Sequence, residues 1–163
     1  MGVSGSGKTT IGRALAERWA VPFVDADDLH PASNRAKMAA GAPLTDADRE
    51  PWLADVAAWL GRHADGGVTA CSALRRAYRD RLQTHGPVRF VLLHGDRSLL
   101  ERRLSDRSGH FMPTSLLDSQ LATLEPLQPD EPGAVVDIGS EADEVVAEAA
   151  TAVGRIGLHP RGR

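Results

Sequence analysis

The 163-residue chain contains a single cysteine, Cys71, so it has no intrachain disulfide. That scarcity suits a reducing compartment, and a cytoplasmic location is the expectation. No apolar run approaches the ~18 residues that cross a bilayer, so no membrane partner is expected. Positive charge is not in excess: 19 basic against 22 acidic residues leave a net charge of −3. A general nucleic-acid binder needs a more basic surface, and that class is set aside. Lysine is scarce, since only Lys8 and Lys37 interrupt a basic set that is otherwise arginine. An apolar strand ahead of the first motif is also missing, because Met1 alone precedes it. Charged residues at 25% and hydrophobic ones at 42% are otherwise those of a globular protein. One domain over residues 1–156, with a frayed tail at 157–163, is the expectation.

That first motif carries the most chemistry. Gly2, Val3, Ser4, Gly5, Ser6, Gly7, Lys8 and Thr9 fit the phosphate-loop (P-loop) pattern G-x-x-x-x-G-K-[ST]. Glycines let the backbone curl so that its N–H groups form an anion nest. Lys8 then neutralises β- and γ-phosphates, and the Thr9 hydroxyl is placed for Mg²⁺. Thr10 opens a segment with apolar residues at helical spacing, whose N-terminus adds partial positive charge. Gly2, Ser4, Gly5, Ser6, Gly7, Lys8, Thr9 and Thr10 are therefore the candidate nucleotide-binding residues. Such a loop ordinarily follows a central, buried strand. Losing that strand leaves backbone groups unpaired and opens a core cavity, so the native product is expected to begin upstream of Met1.

Beyond the loop, helix and strand signals alternate, which predicts an α/β fold of the P-loop NTPase type. The expected sheet is doubly wound and mostly parallel, five-stranded in the complete fold with the first strand missing here. Strands are predicted at Val21–Asp25, Val68–Cys71, Val88–Leu93 and Ala134–Ile138. Predicted helices are Thr10–Trp19, Pro31–Ala40 stopped by Gly41, Arg49–His63 behind an Asp cap, Leu74–His85, Arg97–Ser105, Thr114–Leu124 and Glu141–Val153. A flexible lid is predicted at about 107–115.

Ligand residues gather at the carboxyl ends of parallel strands. There the second strand delivers Asp25, Asp27 and Asp28. Asp25 suits Mg²⁺, Asp27 suits orienting an acceptor hydroxyl, and Asp28 reads as a helix cap. The next strand ends in Ser72 and lacks the acidic metal ligand of motor and switch ATPases, which favours a small-molecule kinase. Arg75 and Arg79, four apart, are expected to share a helical face and grip an anion, while Arg76 and Arg81 read as solvated. Arg103 and Arg107 lead into the lid and suit closing over triphosphate. The six histidines show no metal-ligand spacing; His30 and His110 fall inside site segments. Cys71 reads as a packed small hydrophobe.

Together these segments resemble the gluconokinase family of small P-loop kinases, related to shikimate kinase and the nucleoside monophosphate kinases. The resemblance rests on the phosphate loop and on Asp25-Ala26-Asp27-Asp28-Leu29-His30-Pro31 with Asn34, Lys37, Met38 and Gly41. It continues through Pro43-Leu44, Asp46, Asp48-Arg49, Pro51-Trp52-Leu53, Cys71-Ser72-Ala73-Leu74 and Tyr78-Arg79-Asp80. Gly109-His110-Phe111, Ser119-Gln120, Leu124-Glu125, Asp130-Glu131 and Asp137 complete it. The resemblance implies ATP-dependent, Mg²⁺-assisted phosphorylation of D-gluconate at its 6-hydroxyl. Lys8, Asp27, Arg103 and Arg107 take the catalytic roles, and Thr9 with Asp25 the metal. His30, Asn34, Lys37, Arg49, Ser72, Arg75, Arg79 and His110 join Asp27 around the substrate. A homodimer is also compatible with the resemblance. An extra proline within 127–133 departs from the family pattern near the expected adenine pocket. A kinase for another small acid such as shikimate, or a silent nucleotide-binding module, remains open at this point.

Overall fold

The structure, a computed structural model, describes residues 1–40, 42–106 and 114–156. Its strands are β1 (Phe23–Asp25), β2 (Val68–Ala70), β3 (Phe90–His94) and β4 (Gly133–Asp137). Its helices are α1 (Lys8–Trp19), α2 (Ala32–Ala39), α3 (Asp46–Arg62), α4 (Arg76–Leu82), α5 (Arg97–Ser105), α6 (Thr114–Thr123) and α7 (Ala142–Arg155). A 3₁₀ turn, Ala26–Leu29, follows β1. Residues 107–113 of the lid expected at about 107–115, the Gly41 helix stop and the 157–163 tail lie outside the described residues, while 114–115 begin α6.

All strand pairing is parallel. β1 runs beside β2 with Phe23 opposite Val68, and β3 beside β4 with Phe90 opposite Gly133. The two pairs are not joined by a ladder among the described residues. Met1 and Gly2 bridge them. The Met1 amine donates to Val91 O at 2.5 Å, Leu93 N donates to Met1 O at 2.9 Å, and Gly2 N donates to Ser72 O at 3.2 Å. Behind this bridge lies a groove of about 620 Å³, bordered by Ile11 and Leu15 of α1, Val68 and Ala70 of β2, and Phe90 and Val91 of β3. The groove separates β2 from β3. Burial, then the neighbouring Lys8 charge, lowers the Met1 amine to about 5.

Two apolar clusters hold the helices to these half-sheets. Ile11, Leu15, Leu93, Leu100, Val136 and Val145 unite α1, β3, β4, α5 and α7. Trp52, Leu53, Val56, Leu82 and Phe90 unite α3, α4 and β3. Helix α3 starts earlier than its apolar spacing suggests. Thr45 is its N-cap, accepting from Asp48 N at 3.2 Å, while the Asp48 carboxylate accepts from Thr45 N at 2.9 Å. The expected acidic cap is therefore the N3 half of a capping box. Helix α4 is shorter than predicted: Arg75 is an extended N-cap with φ −102° and ψ 149°.

An apolar stretch of about five residues added ahead of Met1 should enter the groove, pair with both strand edges and remove the buried amine. Each Val or Ile that becomes buried there should contribute about 1.5–3 kcal/mol. Thermal melting should rise relative to the chain beginning at Met1; an unchanged midpoint would show that the groove does not accept a strand.

Candidate active site

The phosphate loop occupies the turn between the bridge and α1. Gly5 and Gly7 adopt φ of +81° and +85°, where a side chain is strained, and a Cβ on Gly5 would lie 3.0 Å from Leu100 O. Gly7 is the N-cap of α1 and no side chain caps that end, so the helix presents its N-terminus to an anion. Lys8 Nζ donates to Val3 O at 2.9 Å, folding the lysine back along the loop. Ser4 N donates to Gln120 Oε1 at 2.6 Å, tying the loop to α6. Beside it, a 250 Å³ pocket is lined by Gly5, Gly7, Thr10, Arg103, Ile138 and Ala142. Arg103 donates to Ile138 O at 2.8 Å, which fixes its guanidinium at that pocket.

An acidic corner faces the loop from the end of β1. Thr9 Oγ1 donates to Asp25 Oδ2 at 2.7 Å, while Asp25 Oδ1 accepts from Asp27 N at 3.2 Å. Asp25 thereby caps the 3₁₀ turn rather than α2, whose N-cap is Pro31 without a side-chain bond; Asp28 stays exposed within that turn. Loss of water around its carboxyl, and then the Asp25 charge, raise Asp27 above the ordinary carboxylate range, against the pull of Lys8 and His30. His30 is buried at 5% exposure and stacks on Trp52, with ring centroids 4.3 Å apart and an interplanar angle of 13°. Trp52 Nε1 in turn donates to Ala26 O at 2.6 Å, locking α3 onto the turn that carries Asp27.

The arginines divide differently from the sequence reading. Arg75 and Arg79 do not share a helical face, because Arg75 precedes α4 in extended conformation. Arg75 reaches outward to Asp46 at 2.9 Å, and Arg49 approaches the same carboxylate at 3.5 Å. Tyr78 donates to Asp46 at 2.5 Å, and both guanidiniums lie 5.8 Å from its ring centroid. These two arginines form a half-buried cationic pair. Arg79 is instead fully buried, its Nε 2.5 Å from Glu131 and its remaining nitrogens on the carbonyls of Ala73, Leu74, Glu125 and Pro126. Its donors are engaged, so it is not placed to grip a ligand. The segment around 127–133 serves this clamp and does not line the pocket at Arg103.

Two further residues sit otherwise than expected. Lys37 is paired with Asp48 at 2.6 Å, and the Asn34 amide donates to Asp48 O at 2.8 Å. Lys37 is the leading cause that holds Asp48 down to about 2, with Thr45 assisting. Ser72 offers its carbonyl to the Gly2 bridge. Arg107 and His110 lie outside the described residues. The sequence reading gave Trp52 no role as the platform for His30, and it gave Gln120 and Asp46 no chemistry of their own. The signal for Trp52 is its place seven residues after the Thr45 cap, on the inward face of α3. Cys71 is buried, and its thiol is pushed up to about 11 by that burial, in keeping with a packing role.

The shikimate kinase family model matches residues 4–128. The gluconokinase of Gluconobacter oxydans (strain 621H) is 49% identical over 152 residues, spanning 91% of this chain and 85% of that protein. A probable gluconokinase of Xenopus tropicalis is 45% identical over 170 residues, spanning 91% and 88% respectively. The crystal structure of a gluconokinase from Sinorhizobium meliloti 1021 superposes with a TM-score of 0.87 at 47% identity, covering 95% of this chain and 89% of that one.

The Arg79 clamp makes a stability prediction. Arg79→Met should destabilise the protein by about 3–5 kcal/mol, because it leaves Glu131 buried and uncompensated. Arg75→Ala should lower stability by less than about 1 kcal/mol. Glu131 is held below its usual value chiefly by Arg79, so its contribution is present above the unfolded carboxylate value and is lost as pH falls through the lower, folded one. Urea titrations at neutral and acid pH check this; equal losses in both variants would contradict the clamp.

Proposed function

Because the chain belongs to the gluconokinase family of P-loop kinases, we propose that it transfers the γ-phosphoryl group of ATP to the 6-hydroxyl of D-gluconate. The products are ADP and 6-phospho-D-gluconate. The supporting observation is the meeting of an uncapped phosphate loop with the Asp25–Asp27–His30 corner at one end of the parallel strands.

In this reading the loop amides and Lys8 cradle the phosphates, and the pocket beside Arg103 and Ile138 receives the nucleoside. Arg103 stands where it can also stabilise charge on the transferring group. Thr9 and Asp25 offer hard oxygen donors close together, and no cluster of three His, Cys, Asp or Glu side chains exists among the described residues. That donor set fits Mg²⁺, which is ordinarily held by one or two protein oxygens together with phosphates. When bound, Mg²⁺ supplies neutralisation of developing phosphate charge.

Asp27 holds and orients the 6-hydroxyl. A loose transition state requires little early proton abstraction, so positioning is its main contribution, with the proton accepted late. Arg49 and Arg75 provide the positive charge that a sugar-acid carboxylate needs at the far end. In the structure Asp46 offsets one of these two positive charges. His30 hydrogen-bonds a middle hydroxyl, and Ser72 lines the same side. Arg107 as a lid arginine and His110 as a substrate-site residue enter on the sequence reading alone. A site of this polarity discriminates against analogues that lack a hydroxyl, since its own groups are then left unpaired.

A coupled assay of ADP release with gluconate, shikimate, glycerate and nucleoside monophosphates tests the substrate assignment; turnover confined to an acceptor other than gluconate would overturn it. Asp27→Asn should lower kcat for gluconate by about 10²–10⁴-fold and leave the KM for ATP unchanged. Lys8→Ala should raise the KM for ATP. Equal loss of ATP affinity in both variants would contradict the assigned roles.

A further inference from the structure

Asn34 lies against the acceptor corner with its side-chain amide already engaged, and we infer that it is a positioning residue that holds His30 as the neutral tautomer with the proton on Nε2. Asn34 is buried at 2% exposure. Its Nδ2 is 2.8 Å from Asp48 O and 3.3 Å from His30 Nδ1. A backbone carbonyl only accepts, so the Asn34 atom facing Asp48 O is the NH₂ group, and the amide orientation is settled. The second hydrogen of that NH₂ then points to His30 Nδ1, which must accept. A neutral imidazole with a bare Nδ1 carries its proton on Nε2.

The carbonyl at the head of this relay is itself fixed. Asp48 lies in the capping box of α3 and is paired with Lys37. The imidazole is held face-on by Trp52, and the His30 carbonyl accepts from Arg35. The charged groups around the ring come from three elements: Asp27 on the 3₁₀ turn, Arg35 on α2 and Arg49 on α3. Burial lowers the proton affinity of the ring most. Asp27 raises it, Arg49 and Arg35 lower it again, and the balance lies below the ordinary imidazole value. An imidazolium would also need a proton on Nδ1, which would break the bond from Asn34.

The consequence is a complementary pair on one wall of the acceptor site. Asp27 accepts a hydrogen bond, and His30 Nε2–H donates one. A polyol presents both needs, since each hydroxyl offers a proton and lone pairs. His30 thus selects an oxygen that can accept, and Asn34 sets that selection without touching the substrate. The kinetic part of this inference rests on the gluconate reading, whereas the tautomer does not.

The experiment is ¹⁵N–¹H correlation spectroscopy of the imidazoles in the full chain between pH 6 and 8, with His30 assigned from the spectrum of His30→Gln. Nδ1 should resonate as an unprotonated nitrogen and Nε2 as a protonated one across the whole range. Asn34→Asp is nearly isosteric and replaces the donor by an acceptor. It should move a proton onto Nδ1 and raise the pH at which His30 titrates. It should also lower kcat/KM for gluconate at least about tenfold, the equivalent of one hydrogen bond, mostly through KM and with the KM for ATP unchanged. A protonated Nδ1 in the unsubstituted protein would overturn the inference, as would Asn34→Asp with an unaltered tautomer and unaltered gluconate KM. If Asn34→Asp does not fold, the spectrum of the unsubstituted protein decides. The expected tautomer in a protein that ignores gluconate would refute the substrate and keep the tautomer.

Discussion

The seating of the phosphate loop between two half-sheets is the constraint on which the rest of this molecule depends. An anion nest works only if its amides are fixed before the anion arrives, because reorganisation would consume the binding energy. Here the fixing is mostly backbone. Met1 and Gly2 bond to β3 and to Ser72, Gly5 packs closely on Leu100 O, and Ser4 N is held by Gln120 from α6. Thr9 then joins the start of α1 to Asp25 at the end of β1. The donor side and the acceptor side of the proposed reaction are therefore linked through one threonine.

The acceptor side inherits its geometry from elements that never meet a ligand. Arg79 binds the carbonyls of Ala73 and Leu74, just past Ser72, and anchors them to Glu131. Ala73 has φ +44°, a conformation that costs about 1–3 kcal/mol in a residue with a side chain and persists where its surroundings enforce it. The buried ion pair is that enforcement. In the same way, α3 reaches the site through Trp52 beneath His30 and through the Asp48 carbonyl at Asn34. Both contacts depend on the Thr45 capping box, which sets where α3 begins.

What the sequence made legible was contiguous chemistry. The phosphate loop declares itself in eight adjacent positions, and the Asp25–His30 run follows a strand whose end is easy to read. The four strands were recognisable from short apolar runs bounded by turn residues. Long-range pairing was illegible. Nothing near Arg79 announces Glu131, so four-residue spacing suggested a shared anion-binding face with Arg75. The extended N-cap conformation of Arg75 removes that face. Asn34 and Lys37 carry polar groups suited to a ligand, but both are satisfied by Asp48 across a loop. Spacing shows where a side chain is attached and is silent on which distant group uses its donors.

The central claim is that one corner, built on Asp27 and His30, presents the primary hydroxyl of gluconate to the phosphoryl group held by the loop. The most direct measurement is the proton-coupled ³¹P spectrum of the product formed from ATP and D-gluconate. The account predicts a phosphomonoester whose phosphorus couples to the two protons of C6. Coupling to a single proton would place the phosphate on a secondary hydroxyl, and free inorganic phosphate alone would mean transfer to water; either result would contradict it.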